Sequence, residues 1–256
     1  MSTKNPAERR DLINTYIQTK GEAMLAELEE LCPSVSSMTV RRDLEQLERL
    51  GQIVRIRGGA RSLSQLSVLK EAAYNHRQLT NMPAKYAIAD KAATLVNSGS
   101  SIYIDSGTTC MCFAQRLPDQ NLFVLSPAPN IALELVKNVN IKINLTGGQL
   151  NRDTLTLSGV NALEYAKTLN IETAFMGASA FSLSSGFSCG DYYEAELKRL
   201  ITRRAHHVVV LMDSTKLDGS MPYTFARLRD INAFVTDSPL PEKYMKAMRQ
   251  AQVAVH

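Results

Sequence analysis

The chain has 256 residues and 28.3 kDa, more than one typical domain holds, so one small domain plus one of ordinary size is expected. With 45% apolar, 21% charged and 6% aromatic residues it can bury a real core, which excludes wholesale disorder. A formal charge of +4 and a pI near 8.8 permit nucleic-acid binding without demanding it, so the placement of the cations is the better clue.

Residues 8–19 set Leu12, Ile13, Tyr16 and Ile17 at helical spacing, and Lys20-Gly21 ends the run. Residues 22–31 repeat the pattern through Met24, Leu25, Leu28 and Leu31, with an acidic outer side, until Pro33 halts it; a second helix is expected over the whole stretch. After the turn at 33–36 a serine caps a third helix, in which Val40, Leu44 and Leu47 share one face while Thr39, Arg41 and Arg42 lie elsewhere, and Gly51 terminates it. Residues 52–60 then alternate apolar and basic side chains before a double glycine, as a half-buried strand entering a tight turn does. Three helices and a hairpin in about sixty residues make a winged helix-turn-helix.

Residues 62–85 turn Ser/Gln/Asn-rich and then helical without a clear apolar stripe, the composition of a connector. Domain boundaries are therefore expected at 1–61, 62–85 and 86–256. Beyond the connector, strand-like runs at 101–105, 122–126, 142–146, 173–177, 208–213 and 233–237 alternate with helical ones at 86–96, 110–117, 130–137, 159–167 and 192–205. That alternation predicts an α/β domain: a mainly parallel sheet with helices on its faces.

Between residues 34 and 61 six arginines (Arg41, Arg42, Arg49, Arg55, Arg57, Arg61) face three acids (Asp43, Glu45, Glu48), whereas residues 1–33 carry an acidic excess. Positive charge is thus concentrated on the third helix and the wing. Ser37, Thr39, Arg41 and Arg42 are assigned to base edges and phosphates of duplex DNA, and Arg55, Arg57 and Arg61 to phosphate or minor-groove contacts from the wing. A basic helix face that is merely solvated, with Arg42 paired to an acid such as Glu45, is the plainer alternative.

In the larger domain, residues 101–109 read as a strand, a hydroxyl-rich turn and a helix beginning near Cys110. Such a turn offers backbone N–H groups and the hydroxyls of Ser106, Thr108 and Thr109 at the positive end of a helix, a natural anion site, although an ordinary capped turn uses the same residues. Other strand ends are small or polar as well: Ser126, Thr146-Gly147-Gly148, Gly177-Ala178-Ser179 and Asp213-Ser214-Thr215-Lys216. Ligands of open α/β sheets collect at such carboxyl ends, and Lys216 would supply a mobile cation there.

The run Ser37-Met38-Thr39-Val40-Arg41-Arg42-Asp43-Leu44, with Leu47-Glu48, Gly51 and Arg55-Ile56-Arg57-Gly58-Gly59-Ala60, resembles the signature of the DeoR family of bacterial transcription regulators. The remainder is similar to that family's sensor domain, so the resemblance covers nearly the whole chain. It implies a fold similar to ribose-phosphate isomerase and CoA-transferase domains, and a pocket for a phosphorylated sugar or related metabolite. By that carry-over Asp105, Ser106, Gly107, Thr108, Thr109, Gly147, Gly148 and Lys216 are effector-binding, joined by Ser126 and Gly177 at the neighbouring strand ends and by Glu194 and Lys198 on the helix after Cys189. One departure stands out: the strand that usually ends in Thr-Asn here ends Leu125-Ser126-Pro127.

The implied function is a carbohydrate-operon repressor, a homo-oligomer whose DNA binding is weakened by its effector through reciprocal linkage. The alternative is a sugar-phosphate isomerase-like enzyme fused to a DNA-binding module. Against it, the Asp-Gly-Ala-Asp run of the related isomerases is here Met176-Gly177-Ala178-Ser179, lacking both acids. There is no Gly-x-Ser-x-Gly, Walker or His-Glu-x-x-His motif, and the four histidines show no triad or metal spacing, so no catalytic residue and no cofactor is expected. Cys110-Met111-Cys112 lacks a second ligand pair and is not read as a metal site; with Cys32 and Cys189 these are expected to be free thiols. A mixed-charge start and a longest apolar run of 208–212 point to a cytoplasmic protein with no membrane partner.

Overall fold

Helix α1 (Pro6–Lys20) starts where the side chain of Asn5 accepts from the Ala7 N–H at 3.0 Å and ends at Gly21, whose φ of 86° reverses the chain. The computed structural model describes residues 5–50, 52–56, 58–62 and 73–256, and the chain divides into two units, Met1–Ala72 and Ala73–His256. In the first unit α1 is followed by strand β1 (Glu22–Met24), helix α2 (Leu25–Leu31), helix α3 (Ser37–Arg49) and the hairpin β2 (Ile53–Ile56) and β3 (Gly59–Ser62).

The second helix expected over 22–31 therefore begins three residues late. Glu22–Met24 are extended because they form the third strand of the wing sheet, in the order β1-β3-β2, with Ala23 buried opposite Ala60. Helix α2 starts only once the Glu27 carboxylate can accept the Met24 N–H at 2.9 Å, half of a capping box. Gly59 is required where β1 and β3 meet, since a Cβ there would lie 2.3 Å from the Ala23 carbonyl oxygen. Ile13, Ile17, Leu28, Val40, Leu44, Leu47 and Ile53 fill the core of this unit. The helix stop at Gly51 and the wing residue Arg57 lie outside the described residues.

In the second unit helices α4 (Tyr74–Leu79) and α5 (Met82–Ala93) precede the alternating part. Both begin inside the stretch expected as a connector up to residue 85, and buried Tyr74, Lys85 and Ile88 tie them to this unit. The chain continues through β4 (Ser101–Ile104), α6 (Thr108–Arg116), β5 (Leu122–Ser126), α7 (Pro129–Leu135), β6 (Ile141–Leu145), the hairpin β7 (Gln149–Asn151) and β8 (Thr156–Ser158), α8 (Val160–Lys167) and β9 (Thr173–Gly177). Then come β10 (Ala180–Ser182), β11 (Gly186–Cys189), α9 (Tyr192–Arg204), β12 (His207–Leu211), a 3-10 turn (Ser214–Lys216), β13 (Tyr223–Ala226), β14 (Ala233–Val235), α10 (Glu242–Gln250) and β15 (Ala254–Val255).

Seven of these strands form one parallel sheet in the order β15-β14-β12-β9-β4-β5-β6. Successive side chains alternate between two cores: Tyr103, Ala174, Met176 and Val210 enter one, and Ile102, Ile104, Phe175, Val209 and Leu211 the other. Burial on both faces is why these strands read as continuous apolar runs. Strand β4 is laid down first, β5 and β6 add on one side, and β9 returns on the other, so the strand order reverses between β4 and β9. That reversal opens a crevice at the carboxyl ends of the strands, the site the fold offers to a ligand. A small antiparallel sheet, β10-β11-β13, stands beside it. The four cysteines are buried and form no disulfide among the described residues, and no helix of the described residues is long and apolar enough to cross a membrane.

Candidate nucleic-acid interface and effector site

Helix α3 is capped by Ser36, whose Oγ accepts the Thr39 N–H at 3.3 Å and lies 3.0 Å from the Thr39 hydroxyl. Its amphipathic spacing buries Val40, Leu44 and Leu47 and leaves Ser37, Arg41 and Arg42 exposed. Neither Arg41 nor Arg42 has an ion-pair partner among the described residues, so both guanidinium groups face solvent, and the pairing of Arg42 with Glu45 considered from sequence does not form. Met38, 60% exposed at the start of the helix, was not anticipated; a flexible apolar tip there suits a thymine methyl group.

The acid beside these arginines has a different role. Asp43 points inward and receives the Arg9 guanidinium of α1, Nε to Oδ2 at 2.6 Å, with the two side chains only 6% and 5% exposed. The hydrogen bond to Asp43 raises the Arg9 pKa further, against the cost of burial. Arg10 adds a longer contact at 3.9 Å. The recognition helix is thus set on α1 by a buried ionic bond that hydrophobic periodicity does not reveal.

The described wing cations, Arg55 and Arg61, are engaged. Arg55 pairs with Glu45 at 2.8 Å and with Glu48 at 3.2 Å, both on α3, and its own N–H donates to Glu48 at 3.0 Å. Arg61 donates through Nε to Glu22 at 2.8 Å, its direct cross-strand neighbour on β1. The free cations of the described interface are therefore Arg41 and Arg42 of α3. Arg41→Ala and Arg42→Ala are each expected to weaken binding to an operator duplex about tenfold and to lower the slope of log K against log salt by about 0.9 if the contact is to phosphate. Titration at several salt concentrations checks this, and unchanged affinity in both variants removes α3 as the reading element.

In the second unit the predicted effector residues gather at the strand reversal. Asp105 follows β4 and is 1% exposed. Its Oδ2 accepts the Gly177 N–H at 2.9 Å and the Lys198 ammonium, and the Tyr103 hydroxyl donates to its Oδ1 at 3.4 Å. Lys198, on the inner face of α9, also donates to the Gly177 carbonyl at 3.0 Å, lies 3.2 Å from Glu194 and sits 5.2 Å from the centre of the Phe225 ring. Burial opposes its charge, but the Asp105 and Glu194 carboxylates outweigh that and hold the ammonium above the ordinary lysine range. Gly177 leaves little room for a side chain between them: a Cβ would come within 3.1 Å of the Ser106 carbonyl oxygen, a tight contact that the neighbour would have to relieve.

Beside this cluster, helix α6 begins at Thr108, two residues earlier than expected, because Gly107 adopts φ 108° and turns the chain at once. Thr108 and Thr109 thus occupy its first turn, both buried, next to buried Ser106. Lys216 reaches the Ala178 carbonyl at 3.2 Å and Asp213 at 3.5 Å, and at a quarter exposed it is the accessible cation of the group.

Other assigned residues have local duties. Ser126 is buried, and its Oγ accepts the Ala128 N–H at 3.1 Å. Gly148 (φ 106°) packs against the Ser158 carbonyl, which a Cβ would meet at 2.4 Å, while Gly147 (φ 69°) is exposed and unobstructed. A separate shallow hollow of about 410 Å³ near Phe181, Leu228 and Ala251 contains none of the predicted effector residues. Sequence reasoning also passed over Lys85, which is 2% exposed and donates to the Arg77 and Thr80 carbonyls, closing the end of α4. Its pKa is lowered by burial and by Lys216.

Comparison with known proteins matches residues 9–66 to the DeoR-like helix-turn-helix domain and residues 80–238 to the DeoR C terminal sensor domain. Relatives align along almost their full length. The HTH-type transcriptional regulator GlpR of Haloferax volcanii is 33% identical over 98% of this chain and 97% of its own. The HTH-type transcriptional regulator YulB of Bacillus subtilis is 32% identical, over 97% and 95%. The glycerol-3-phosphate regulon repressor of Escherichia coli is 28% identical, over 94% of each chain. Among solved structures, ribose 5-phosphate isomerase A of Methanocaldococcus jannaschii overlaps 52% of this chain and 53% of its own at 18% identity and a TM-score of 0.39, a likeness that says nothing about ligand or reaction.

Proposed function

The chain belongs to the DeoR family of helix-turn-helix transcription regulators, and from that membership we propose that it represses a carbohydrate-utilisation operon and releases its operator when a phosphorylated sugar or related metabolite binds the second unit. The observation that carries the effector half is the convergence, at the strand reversal, of the first turn of α6 with its buried hydroxyls, the accessible ammonium of Lys216 and the buried Lys198. A helix N-terminus and a mobile lysine together suit a phosphate, and the names of relatives such as the glycerol-3-phosphate regulon repressor point the same way. Exposed Arg41 and Arg42 on α3 support the DNA-binding half.

This reading has the protein acting in the cytoplasm as a homo-oligomer, with its DNA-binding elements paired on a two-fold operator. It assigns no turnover. The central acid of the crevice, Asp105, is occupied by Lys198 and the Gly177 N–H, and a carboxylate held in that way is a weaker base toward carbon, which supports the reading as a regulator. Effector and DNA then oppose one another with a coupling of about 1–3 kcal/mol.

A thermal-shift screen against sugar phosphates and their unphosphorylated parents tests the proposal. A ligand at a hundred times its Kd adds about 2.7 kcal/mol to the unit that binds it. Stabilisation by one phosphorylated compound and not by its parent is expected. In Lys216→Ala and Thr108→Val that compound should no longer lift the protein from its operator, although DNA affinity without effector is retained. A normal response in both variants discards this pocket.

A further inference from the structure

Beside the phosphate-facing loop lies a group of buried polar atoms that no part of the fold uses. Asn130, in the first turn of α7, donates from Nδ2 to the Tyr74 hydroxyl at 2.8 Å and makes a long contact to the Met111 sulfur at 3.9 Å. Its Oδ1 is buried and has no hydrogen-bond partner. Turning the amide over exchanges the atoms but still leaves one of them unmatched. Tyr74, 5% exposed, accepts from Asn130, and its own O–H proton has no acceptor among the described residues. Burial pushes its pKa up to about 12, so it stays a donor.

The tip of the β7–β8 hairpin adds two more. Thr154 and Thr156 are 4% and 1% exposed, and neither hydroxyl is bonded. Thr154 follows Asp153, whose carbonyl takes the Tyr74 N–H at 2.7 Å, and Thr156 precedes Leu157, whose N–H donates to the Pro127 carbonyl at 2.7 Å, just ahead of α7. The intervening Leu155 is held at φ 56°, a conformation that costs energy for a residue with a side chain. Met111, which Asn130 touches, lies about one helical turn along α6 from Thr108.

Buried polar atoms are almost always paired, and three unmatched ones on segments joined by the Tyr74–Asp153 and Leu157–Pro127 hydrogen bonds mark a place that something else completes. The set is neutral and mixes donors with acceptors, which fits vicinal hydroxyl groups rather than an ion. We infer that Tyr74, Asn130, Thr154 and Thr156 form a hydroxyl-reading subsite that takes the polyol portion of the effector and sets which sugar phosphate the regulator answers. The inference rests on the phosphate pocket proposed above and adds the selectivity that a phosphate contact alone does not give.

The test titrates the full chain, by calorimetry, with inorganic phosphate and with a series of sugar and polyol phosphates of three to six carbons. The best of these is expected to bind more tightly than inorganic phosphate. Thr154→Val and Thr156→Val, both isosteric, should each weaken that compound about tenfold, and Asn130→Leu at least as much, while the Kd for inorganic phosphate moves less than about twofold. Equal weakening of both ligands, or an unchanged ranking of the series in all three variants, overturns the subsite while leaving the phosphate pocket standing. If no phosphate compound binds the unaltered chain, the pocket itself falls and the subsite with it. The two valine variants keep the test decisive should Asn130→Leu fail to fold.

Discussion

Asp43→Ala is expected to unfold the DNA-binding unit at temperatures where the sensor unit remains folded. Removing the carboxylate takes the Asp43 counter-charge from Arg9, whose side chain is 6% exposed, and breaking a buried pair from one side costs about 3–5 kcal/mol. A unit of about sixty residues has little more than that to lose, since a small domain buries a modest share of its surface. Differential calorimetry should show the first transition shifted down or absent and the second unchanged, with operator binding lost. Replacing both partners, Arg9→Met with Asp43→Leu, should recover much of the loss, because the penalty lies in the orphaned charge rather than in the absent bond. If Asp43→Ala melts like the unaltered protein, the bond does not hold α3 in place.

The counterpart in the second unit is Lys198→Met. It leaves Asp105 buried with only the Gly177 N–H and the Tyr103 hydroxyl as donors, and Glu194 loses the same cation. A loss of about 3–5 kcal/mol is expected here too, confined to the second transition. The sign of its pH dependence distinguishes this cause from simple loss of packing. In the unaltered chain Lys198 has a raised pKa, so its contribution is complete below the ordinary lysine range and fades only as pH climbs through the higher folded value. The variant lacks that contribution wherever the lysine would be charged, so the gap to the unaltered protein should stay constant through neutral pH and narrow only as pH climbs above the ordinary lysine range. Asp105→Asn in the Lys198→Met background should close part of the gap at neutral pH. A deficit of the same size at every pH would mean that the ionic cluster is not its source.

Both bonds join residues far apart in sequence, and this separates what could be read in the chain from what could not. The parallel strands were legible because burial on both faces forces apolar runs such as 122–126 and 207–211, and α3 was legible because one side of it packs while the other carries arginine. Strand β1 was not: Ala23-Met24 continues the apolar spacing of α2, and only pairing with β3 makes it extended. Strand β11 was missed because Gly186–Cys189 is buried throughout and shows no alternation. Helix α10 could have been found, since Tyr244 and Met248 lie four apart after Pro241 and both are buried.

The candidate sites divide in the same way. Residues 105–109, Glu194, Lys198 and Lys216 were named from strand ends and resemblance, and the strand reversal brings Asp105, Gly177 and Lys198 into direct contact. Asp43 was counted among the acids of the basic segment, because its inward direction depends on Arg9, 34 residues away. Tyr74, Asn130, Thr154 and Thr156 carry no motif; what singles them out is the unmatched oxygens of Asn130, Thr154 and Thr156, which only the folded structure reveals.

The pairing of Arg55 with Glu45 and Glu48 also governs how ions would report on the complex. A DNA phosphate that approaches Arg55 has to compete with two carboxylates already paired to it, which neutralise part of the charge the arginine could offer. Arg55 would then neutralise a phosphate only in part, so a salt titration would register Arg41 and Arg42 more fully than Arg55. Counting phosphates from the slope alone would therefore undercount the wing, and the footprint of this regulator on its operator would extend further than its salt dependence implies.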